Sequence, residues 1–216
     1  MIKELEKRLL SSLFLIPIAI FFIIQGSVFF IFFLSILFLA TSYEWLKMNK
    51  KNNLLKILGI IFLLFSFYVA FTIREANSFK PFLFIVIICI STDIGGYVFG
   101  KIFKGPKLTK ISPKKTYAGV IGSFLLSLTT GLIFINYFGK DPTILNTEGF
   151  PILLIILFIS FISQLGDLII SYFKRKAKLK DTGKIIPGHG GLLDRIDGLI
   201  FVFPALFVLA LIIKLN

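Results

Sequence analysis

Two aspartates lie inside long apolar runs of this sequence, where a carboxylate is expected to have a specific task. Asp93 follows Ser91 and Thr92 in one run, and Asp167 lies in the run Phe161–Leu168. A carboxylate at the centre of a bilayer costs at least about 2.5 kcal/mol, so it normally faces protein, water or a cation. A polar contact between helices, made with Ser91 or Thr92, is an alternative explanation for Asp93. Asp167 is the stronger candidate for a functional group.

Asp167 has polar neighbours at helical spacing. Ser163 lies four residues before it, and Ser171 and Lys174 lie four and seven residues after it. Positions spaced in this way share one face of an α-helix. We therefore predict a helix face that carries an acid, two hydroxyls and a cation, in a segment made otherwise of Leu, Ile and Phe.

The stretch 171–197 holds nearly every residue type that binds phosphate. Lys174, Arg175 and Lys180 can neutralise the charge of a polyphosphate. The run Pro187–Gly191 predicts a flexible turn whose backbone N–H groups can approach an anion closely. A lysine run alone would usually be a solvated patch that faces lipid headgroups. The phosphate-binding interpretation depends on its combination with glycines and acids.

Asp194 and Asp197 are three residues apart at the start of the last apolar segment. If this part is helical, both carboxylates point to one side and can share a hard cation. Mg²⁺ prefers carboxylate oxygens and retains water molecules that phosphates can replace. His189 is the only histidine of the chain. It has two interpretations, a hydrogen-bonded structural residue or a contact to a leaving group.

A second polar stretch, residues 105–119, precedes another apolar segment. It carries Ser112, Lys115 and Thr116, and basic and hydroxyl groups at a helix start favour an anion site. The stretch lacks the Gly-x-x-x-x-Gly-Lys-Ser/Thr pattern of a P-loop. Ordinary lysines of a cytoplasmic loop are the alternative interpretation.

The composition indicates that membrane-spanning helices position these groups. The 216 residues are 56% hydrophobic, with 27 Phe and a mean hydropathy of +0.93, whereas soluble domains are roughly 45–50% apolar. We predict an all-α, polytopic transmembrane protein with about seven spans of roughly 20 residues each. The predicted spans are Leu9–Ile24, Ser27–Leu46, Leu54–Ile73, Pro81–Phe99, Ala118–Phe138, Phe150–Phe173 and Leu193–Ile213.

The basic residues predict the orientation. The formal net charge is +13, and 20 of the 24 Lys and Arg residues lie in the N-terminal tail and in loops 47–56, 101–117 and 174–195. Positively charged loops stay inside, so we expect the N-terminus and these loops in the cytoplasm and the C-terminus outside. Nucleic-acid binding is not expected, because the basic residues form no separate domain.

The first and the fourth segments each allow a simple interpretation. The first lacks a small-residue cleavage site and contains Pro17, so we expect an uncleaved span rather than a signal peptide. Cys89, the only cysteine, lies in the fourth segment and should serve packing, since it has no disulfide partner in the chain. We divide the chain into three N-terminal spans, residues 1–80, and a catalytic transmembrane region, residues 81–216.

Residues 171–197 resemble the family of CDP-diacylglycerol synthases, or phosphatidate cytidylyltransferases. The similarity extends upstream to Ser112–Thr116 and Thr92–Tyr97, whereas the first 80 residues resemble the family only in hydropathy. The positions in 171–197 that match the family pattern are Ser171, Lys174, Arg175, Lys180, Asp181, Pro187, His189, Gly190, Gly191, Asp194, Arg195 and Asp197.

The resemblance implies transfer of CMP from CTP to phosphatidate, which gives CDP-diacylglycerol and pyrophosphate. The expected location is a bacterial inner membrane with a cytoplasmic active site. The resemblance further implies Mg²⁺ held by Asp167 and Asp194, and it allows K⁺ as a second cation and a homodimer. Family members are often longer and have more early spans, so the lipid-entry groove or a dimer contact of this chain is expected to differ.

The residues permit a mechanism without a strong general base, because a phosphate monoester is already an anionic nucleophile. Asp167 and Asp194 would hold the cation, and Asp197 would support them or act as a third ligand. His189 would contact the leaving group. The other groups expected to hold substrate are Lys174, Arg175, Lys180, Asp181, Arg195, Ser112, Lys115, Thr116 and Asp93.

Three other functions are compatible with parts of this pattern. A CTP-dependent polyprenol or diacylglycerol kinase would need the same phosphate and metal groups. An ion-coupled transporter would use Asp93 and Asp167 as ion sites, and Gly95-Gly96 could then interrupt a span. A CDP-alcohol phosphatidyltransferase is less compatible, because its Asp-Gly-x-x-Ala-Arg run is absent from the sequence.

Overall fold

The chain forms a bundle of α-helices in the computed structural model. The structure describes residues 2–76, 78–109, 112–113, 115–139, 151–186, 188 and 190–215. Within these ranges the ordered elements are helices and two isolated β-bridges, which confirms the all-α prediction. The helices are α1 (Ile2–Gln25), α2 (Ser27–Met48), α3 (Asn53–Glu75), α4 (Phe79–Phe103), α5 (Tyr117–Phe138), α6 (Ile152–Lys176), α7 (Leu193–Ile196) and α8 (Leu199–Leu215).

Five of these helices, α2 to α6, are long and apolar enough to cross a membrane. Two further apolar stretches are shorter, Leu13–Gln25 in α1 and Leu199–Lys214 in α8. Many large apolar side chains point outward, as expected where a helix surface meets lipid rather than water. The chain is therefore an integral membrane protein, whereas the count of seven spans stays a prediction.

The last apolar segment differs from its prediction as one continuous helix. It consists of the short α7 and of α8, with a turn at Asp197 and Gly198. Gly198 packs directly on the hydroxyl of Ser163, so any Cβ at this position would overlap it. The Gly198 N–H donates to Asp197 Oδ1 at 2.9 Å instead of continuing the helix ladder. The sequence does carry a sign of this break, because Asp194, Arg195, Asp197 and Gly198 interrupt the apolar pattern at the start of the segment.

Helices α4 and α5 approach each other closely through small residues. A Cβ at Gly119 would lie 2.7 Å from the backbone oxygen of Gly96. A Cβ at Gly95 would overlap the backbone oxygen of Gly122. Close approach of this kind is the usual use of glycine in membrane helices. Helix α4 runs unbroken through Gly95 and Gly96, so these glycines serve packing and not the interruption that a transporter would need.

The centre of the bundle is a core of apolar side chains from both parts of the chain. Phe84, Ile85 and Ile88 of α4 are almost fully buried, as are Phe30 of α2 and Ile156 of α6. Cys89 belongs to the same core, which confirms its predicted packing role. Helix α4 therefore packs against both the N-terminal helices and the later helices of the bundle.

The turn between α1 and α2 meets the end of α3 at the opposite end of the bundle from the α2–α3 loop. Arg74 donates to the carbonyls of Ile23 and Ile24, both at 2.8 Å, and the Ser27 N–H donates to Glu75 Oε1 at 2.9 Å. Arg74 thereby satisfies the terminal carbonyls of α1, which have no partner within that helix. These contacts fix the N-terminal helices to one another.

Candidate active site

One polar cavity of about 370 Å³ opens between α4, α5 and α6 and the loops that follow α4 and α6. Ten of the thirteen residues that we predicted from the sequence line this cavity. They are Asp93, Ser112, Lys115, Thr116, Asp167, Lys174, Asp181, Asp194, Arg195 and Asp197. The remaining lining residues are Thr92, Gly96, Tyr97, Gly119, Val120, Ser123 and Gln164.

The sequence left two roles open for the polar residues of α4, a contact between helices and a functional group in the site. Thr92 and Asp93 each have one of these roles. Thr92 Oγ1 lies 2.9 Å from Ser160 Oγ on α6, and the Thr92 carbonyl accepts from Ser123 Oγ at 2.7 Å. Thr92 therefore makes the polar contact between helices. Asp93 lines the cavity instead, so it is available to a substrate or a cation.

Asp167 on α6 faces the cavity between a lysine and a hydroxyl. Lys115 Nζ lies 2.7 Å from Asp167 Oδ2, and Ser171 Oγ donates to Asp167 Oδ1 at 3.1 Å. Ser163, predicted on the same face, is buried against Gly198 and does not line the cavity. The predicted helix face is thus present, and its C-terminal portion carries the polar groups of the site.

The start of α5 opens onto the same cavity. Thr116 caps the helix, since its hydroxyl accepts from the Gly119 N–H at 3.1 Å. The Lys115 N–H donates to the Ser112 carbonyl at 3.0 Å, and Lys115 Nζ also lies 3.3 Å from the carbonyl oxygen of Gln164. The predicted helix start is confirmed, and Thr116 and Gly119 at this start line the same cavity as Lys115.

Asp194 is the most heavily hydrogen-bonded acid of the cavity. Its Oδ1 accepts from Lys174 Nζ at 2.7 Å. Its Oδ2 accepts from the Thr182 N–H at 2.8 Å, from Thr182 Oγ1 at 3.1 Å and from the Gly191 N–H at 3.1 Å. The carboxylate therefore joins α6 to both ends of the loop 182–191.

Asp197 is buried beside two of the other acids. Its side chain interacts electrostatically with Asp167 and Asp93, and Lys174 provides opposing positive charge. The predicted arrangement, with Asp194 and Asp197 on one side of a helix, is modified by the turn after α7. Both carboxylates nevertheless line the cavity.

The predicted glycine-rich turn is closed by two backbone hydrogen bonds. The Ile186 N–H donates to Gly190 O at 3.0 Å, and the Gly190 N–H donates to Ile186 O at 3.2 Å. Gly188 and Gly190 have φ angles of 75° and 91°, which favour glycine at both positions. Pro187 and His189 lie outside the described residues.

Two predicted residues lie away from the cavity. Arg175 is exposed at the end of α6, where its guanidinium donates to the Leu179 carbonyl at 3.1 Å. Lys180 is exposed in the following loop. Asp181 and Arg195 are also solvent-exposed, but they lie on the cavity wall.

The charges of the described cavity wall suit a hard cation. Five carboxylates face three basic groups there, so the wall has an excess of negative charge. Mg²⁺ is commonly bound through one or two carboxylates and completed by water and substrate phosphates. Within the described ranges, no group of three or more His, Cys, Asp or Glu side chains is arranged as a complete metal site. A cation in this cavity would therefore need further ligands from water or from a phosphate substrate.

Comparison with known proteins identifies the family. The model of the cytidylyltransferase family matches residues 53–213. The chain belongs to the cytidylyltransferase family. It is 34% identical to the phosphatidate cytidylyltransferase of Rickettsia typhi over 205 residues, which cover 93% of this chain and 89% of that protein. It is 36% identical to the protein of the same name from Rickettsia prowazekii over 206 residues, with the same two coverages.

Relatives in this cytidylyltransferase family differ in length. The phosphatidate cytidylyltransferase of Brucella melitensis is 38% identical over 140 residues, which cover 62% of this chain but 50% of that protein. The Brucella protein is therefore longer than this chain, whereas the expected shortage of early spans stays a prediction. The two Rickettsia proteins align over nearly their whole length.

Three residues at the cytidylyltransferase site were missed by sequence reasoning. Glu44 on α2 is 1% exposed and accepts hydrogen bonds from the loop that precedes α7, including one from Thr182. Gln164 lines the cavity, and its Nε2 is buried with no hydrogen-bond partner among the described residues. The position of Glu44 in an apolar run was the same signal that identified Asp93 and Asp167, whereas Gln164 and Thr182 gave none.

Proposed function

We infer that this chain is a phosphatidate cytidylyltransferase, which transfers CMP from CTP to phosphatidate and releases pyrophosphate. One observation carries the inference. In a member of the cytidylyltransferase family, a single cavity brings Asp167 and Asp194 from different helices together with Lys115 and Lys174. The alignment with the Rickettsia typhi enzyme covers nearly the whole chain and supports the same reaction.

The transfer joins a phosphate oxygen of phosphatidate to the α-phosphorus of CTP. The bond from that phosphorus to the oxygen shared with the β-phosphate breaks, and pyrophosphate leaves with the electron pair. The attacking phosphate is anionic at neutral pH, so the site needs no strong base. Because both reactants are polyanions, positioning and charge neutralisation are the main tasks of the protein.

The basic groups of the cavity divide these tasks by their position. Ser112, Lys115 and Thr116 at the start of α5 are placed to hold one substrate phosphate. Lys174 and Arg195 lie on the loop side of the cavity and would neutralise the departing pyrophosphate. Exposed Arg175 and Lys180 would attract anions toward the cavity from outside.

Magnesium is the proposed cofactor, and when bound it offsets the charge of the triphosphate and orients it. Asp167 and Asp194 are the proposed ligands, with Asp197 in support and Asp93 on the substrate side. Each of the two proposed ligands lies 2.7 Å from a lysine nitrogen. The positive charges of Lys115 and Lys174 therefore offset the repulsion between the two carboxylates. K⁺ as a second cation and a homodimer stay predictions.

The proposed orientation places the cavity at the cytoplasmic surface of a bacterial inner membrane. The loops after α4 and α6 line one cavity, so they lie on the same side of the membrane. They are also among the loops that contain most of the basic residues, which favours the cytoplasmic side. With α1 and α8 counted as spans, seven crossings place the N-terminus inside.

The division at residue 80 describes which part of the chain carries the reacting groups. All described residues that line the cavity lie between Thr92 and Asp197. We propose residues 81–216 as the catalytic region on this basis, with residues 1–80 as its support. His189 keeps its proposed contact to the leaving group.

Two labels of CTP test the function against the kinase alternative. Purified protein is incubated with phosphatidate, diacylglycerol, a polyprenol, Mg²⁺ and CTP labelled at either the α- or the γ-phosphate, and the lipids are extracted. We expect the α-label in CDP-diacylglycerol and the γ-label in pyrophosphate. Transfer of the γ-label to lipid would instead show a kinase, and neither label in lipid would exclude both.

A further inference from the structure

Glu44 is a buried acid on α2 that contacts residues 182–193, which lie 138 to 149 positions later in the sequence. Its side chain is in the C-terminal turn of α2 and is almost inaccessible to solvent. Glu44 Oε2 accepts from Thr182 Oγ1 at 2.8 Å and from the Leu193 N–H at 2.8 Å. Glu44 Oε1 accepts from the Leu192 N–H at 3.0 Å. A buried carboxylate is tolerated when it is hydrogen-bonded in this way.

Glu44 and Asp194 hold the same loop from two sides. Thr182 Oγ1 lies within hydrogen-bond distance of both carboxylates, 2.8 Å from Glu44 and 3.1 Å from Asp194. Its one hydroxyl proton is therefore shared between the two acids. The N–H groups on either side complete the connection, since Gly191 donates to Asp194 while Leu192 donates to Glu44.

The loop is shaped to fit this carboxylate. A Cβ at Gly191 would lie 2.6 Å from Glu44 Oε2, and a Cβ at Gly183 would overlap Glu44 Oε1. Both glycines therefore allow the loop backbone to approach the acid more closely than any other residue would. The contact is specific in shape as well as in hydrogen bonding.

Helix α2 is itself fixed at this level. Trp45, the residue after Glu44, donates from Nε1 to the Leu55 carbonyl at 2.9 Å and packs over Gly59 of α3. Its ring also meets Phe173 of α6 edge-on, with 5.0 Å between centroids. Glu44 consequently projects from a point that is held by two neighbouring helices.

We propose that Glu44 is a positioning residue for CMP transfer. By fixing residues 182–193, it sets the position of Asp194 against Lys174 and of the cavity wall that both residues form. The inference rests on the proposed function for its effect on rate. The anchoring of the loop can be measured independently of that function.

Hydrogen exchange and kinetics on Glu44→Gln test the proposal together. The amide group of Gln cannot accept all three hydrogen bonds, because one of its two polar atoms is a donor. We expect the 182–193 amides to exchange about tenfold faster than in the wild type. We expect kcat for CDP-diacylglycerol formation to fall about 10–100-fold, with a KM for CTP that changes little.

Thr41→Val is the matched control. Thr41 is fully buried on the same helix, and its hydroxyl donates only to carbonyls of its own helix, Leu37 and Phe38. This variant should match the wild type in both exchange and kcat. Equal effects in Thr41→Val and Glu44→Gln would show a general loss of helix packing and would overturn the proposal.

Thr182 provides a second test that does not require a buried charge to be removed. Thr182→Val should reproduce both effects of Glu44→Gln. Thr182→Ser should show wild-type exchange and wild-type kcat, because it retains the hydroxyl. Wild-type kcat in Glu44→Gln, or in Thr182→Val if Glu44→Gln does not fold, would overturn the positioning role. A wild-type protein that forms no CDP-lipid would instead refute the proposed function. The hydrogen-exchange data would still show whether Glu44 anchors residues 182–193.

Discussion

The two loops that line the cavity are held in place by different kinds of contact. The loop between α4 and α5 is closed by its own backbone, with the Leu108 N–H on Lys115 O at 2.8 Å and the Tyr117 N–H on Pro106 O at 3.3 Å. The loop between α6 and α7 also contains a turn closed by its backbone, at Ile186 and Gly190, but its two ends are held by the side chains of Glu44 and Asp194. One loop is ordered locally, and the other depends on residues brought in by the tertiary fold.

Because of this difference, a charged side chain has a different task in each loop of the cytidylyltransferase site. The Lys115 side chain pairs with Asp167 in the cavity and does not close its own loop, since backbone hydrogen bonds already do so. Asp194 in the second loop is proposed both to hold the loop and to face the reacting phosphates. Substitutions should therefore affect the rate alone in the first loop, and rate together with loop order in the second.

Asp194→Asn should give the largest effect and should separate the two acids. We expect CMP transfer by Asp194→Asn and by Asp167→Asn to fall at least about 10³-fold, because each loses a proposed Mg²⁺ ligand. Only Asp194→Asn should also speed trypsin cleavage at Lys178, Lys180 and Lys184, since it loosens the second loop. A near-wild-type rate in either folded variant would disprove the proposed ligand pair.

Lys115→Met should lower the rate by about 10²-fold, as removal of one preorganised charged group in an active site commonly does. Trypsin cleavage of the second loop should stay at the wild-type rate. Lys107→Met is the control in the same loop, because its side chain is exposed and does not line the cavity. Equal rates for the two variants would remove Lys115 from the site.

Gly191→Ala and Gly105→Ala compare the two loops directly. A Cβ at Gly191 would overlap Thr182 Oγ1, so we expect a loss of rate of about tenfold and faster exchange of the second loop. Gly105 has a φ of 92° with open space around it, so its alanine variant should lose about 1 kcal/mol of stability through backbone strain and keep its rate. Thermal unfolding in detergent and turnover of labelled CTP measure both effects. A full rate in Gly191→Ala would show that the close fit at Glu44 is unimportant.

Arg175→Ala should give the smallest effect of the series. Arg175 is exposed and outside the cavity, so we expect about a twofold rise in the KM for CTP at low salt and none at high salt, where exposed charges are screened. Initial rates at two ionic strengths measure this change. A large fall in kcat would place Arg175 at the reacting groups, as its position in the phosphate-binding stretch 171–197 first suggested.

The sequence alone predicted the chemical content of the site. The membrane helices and the two polar loops can be predicted from hydropathy and charge, because these are properties of each residue that do not depend on the fold. The acids Asp93 and Asp167 were found because a carboxylate in an apolar run has a large free-energy cost. Asp194 and Asp197 were found from their spacing at the start of the last apolar segment, and the motif resemblance supplied the expected reaction.

Tertiary structure alone decided how these groups are held. The packing of Gly198 on Ser163, the exclusion of Arg175 from the cavity and the contact of Glu44 with Leu193 involve residues up to 149 positions apart. Local patterns carry no information about such pairs, because a hydrogen bond across the bundle depends on where the helices meet. Glu44 differs from its apolar neighbours in sequence, but only the packing of α2 against α7 shows which loop it fixes.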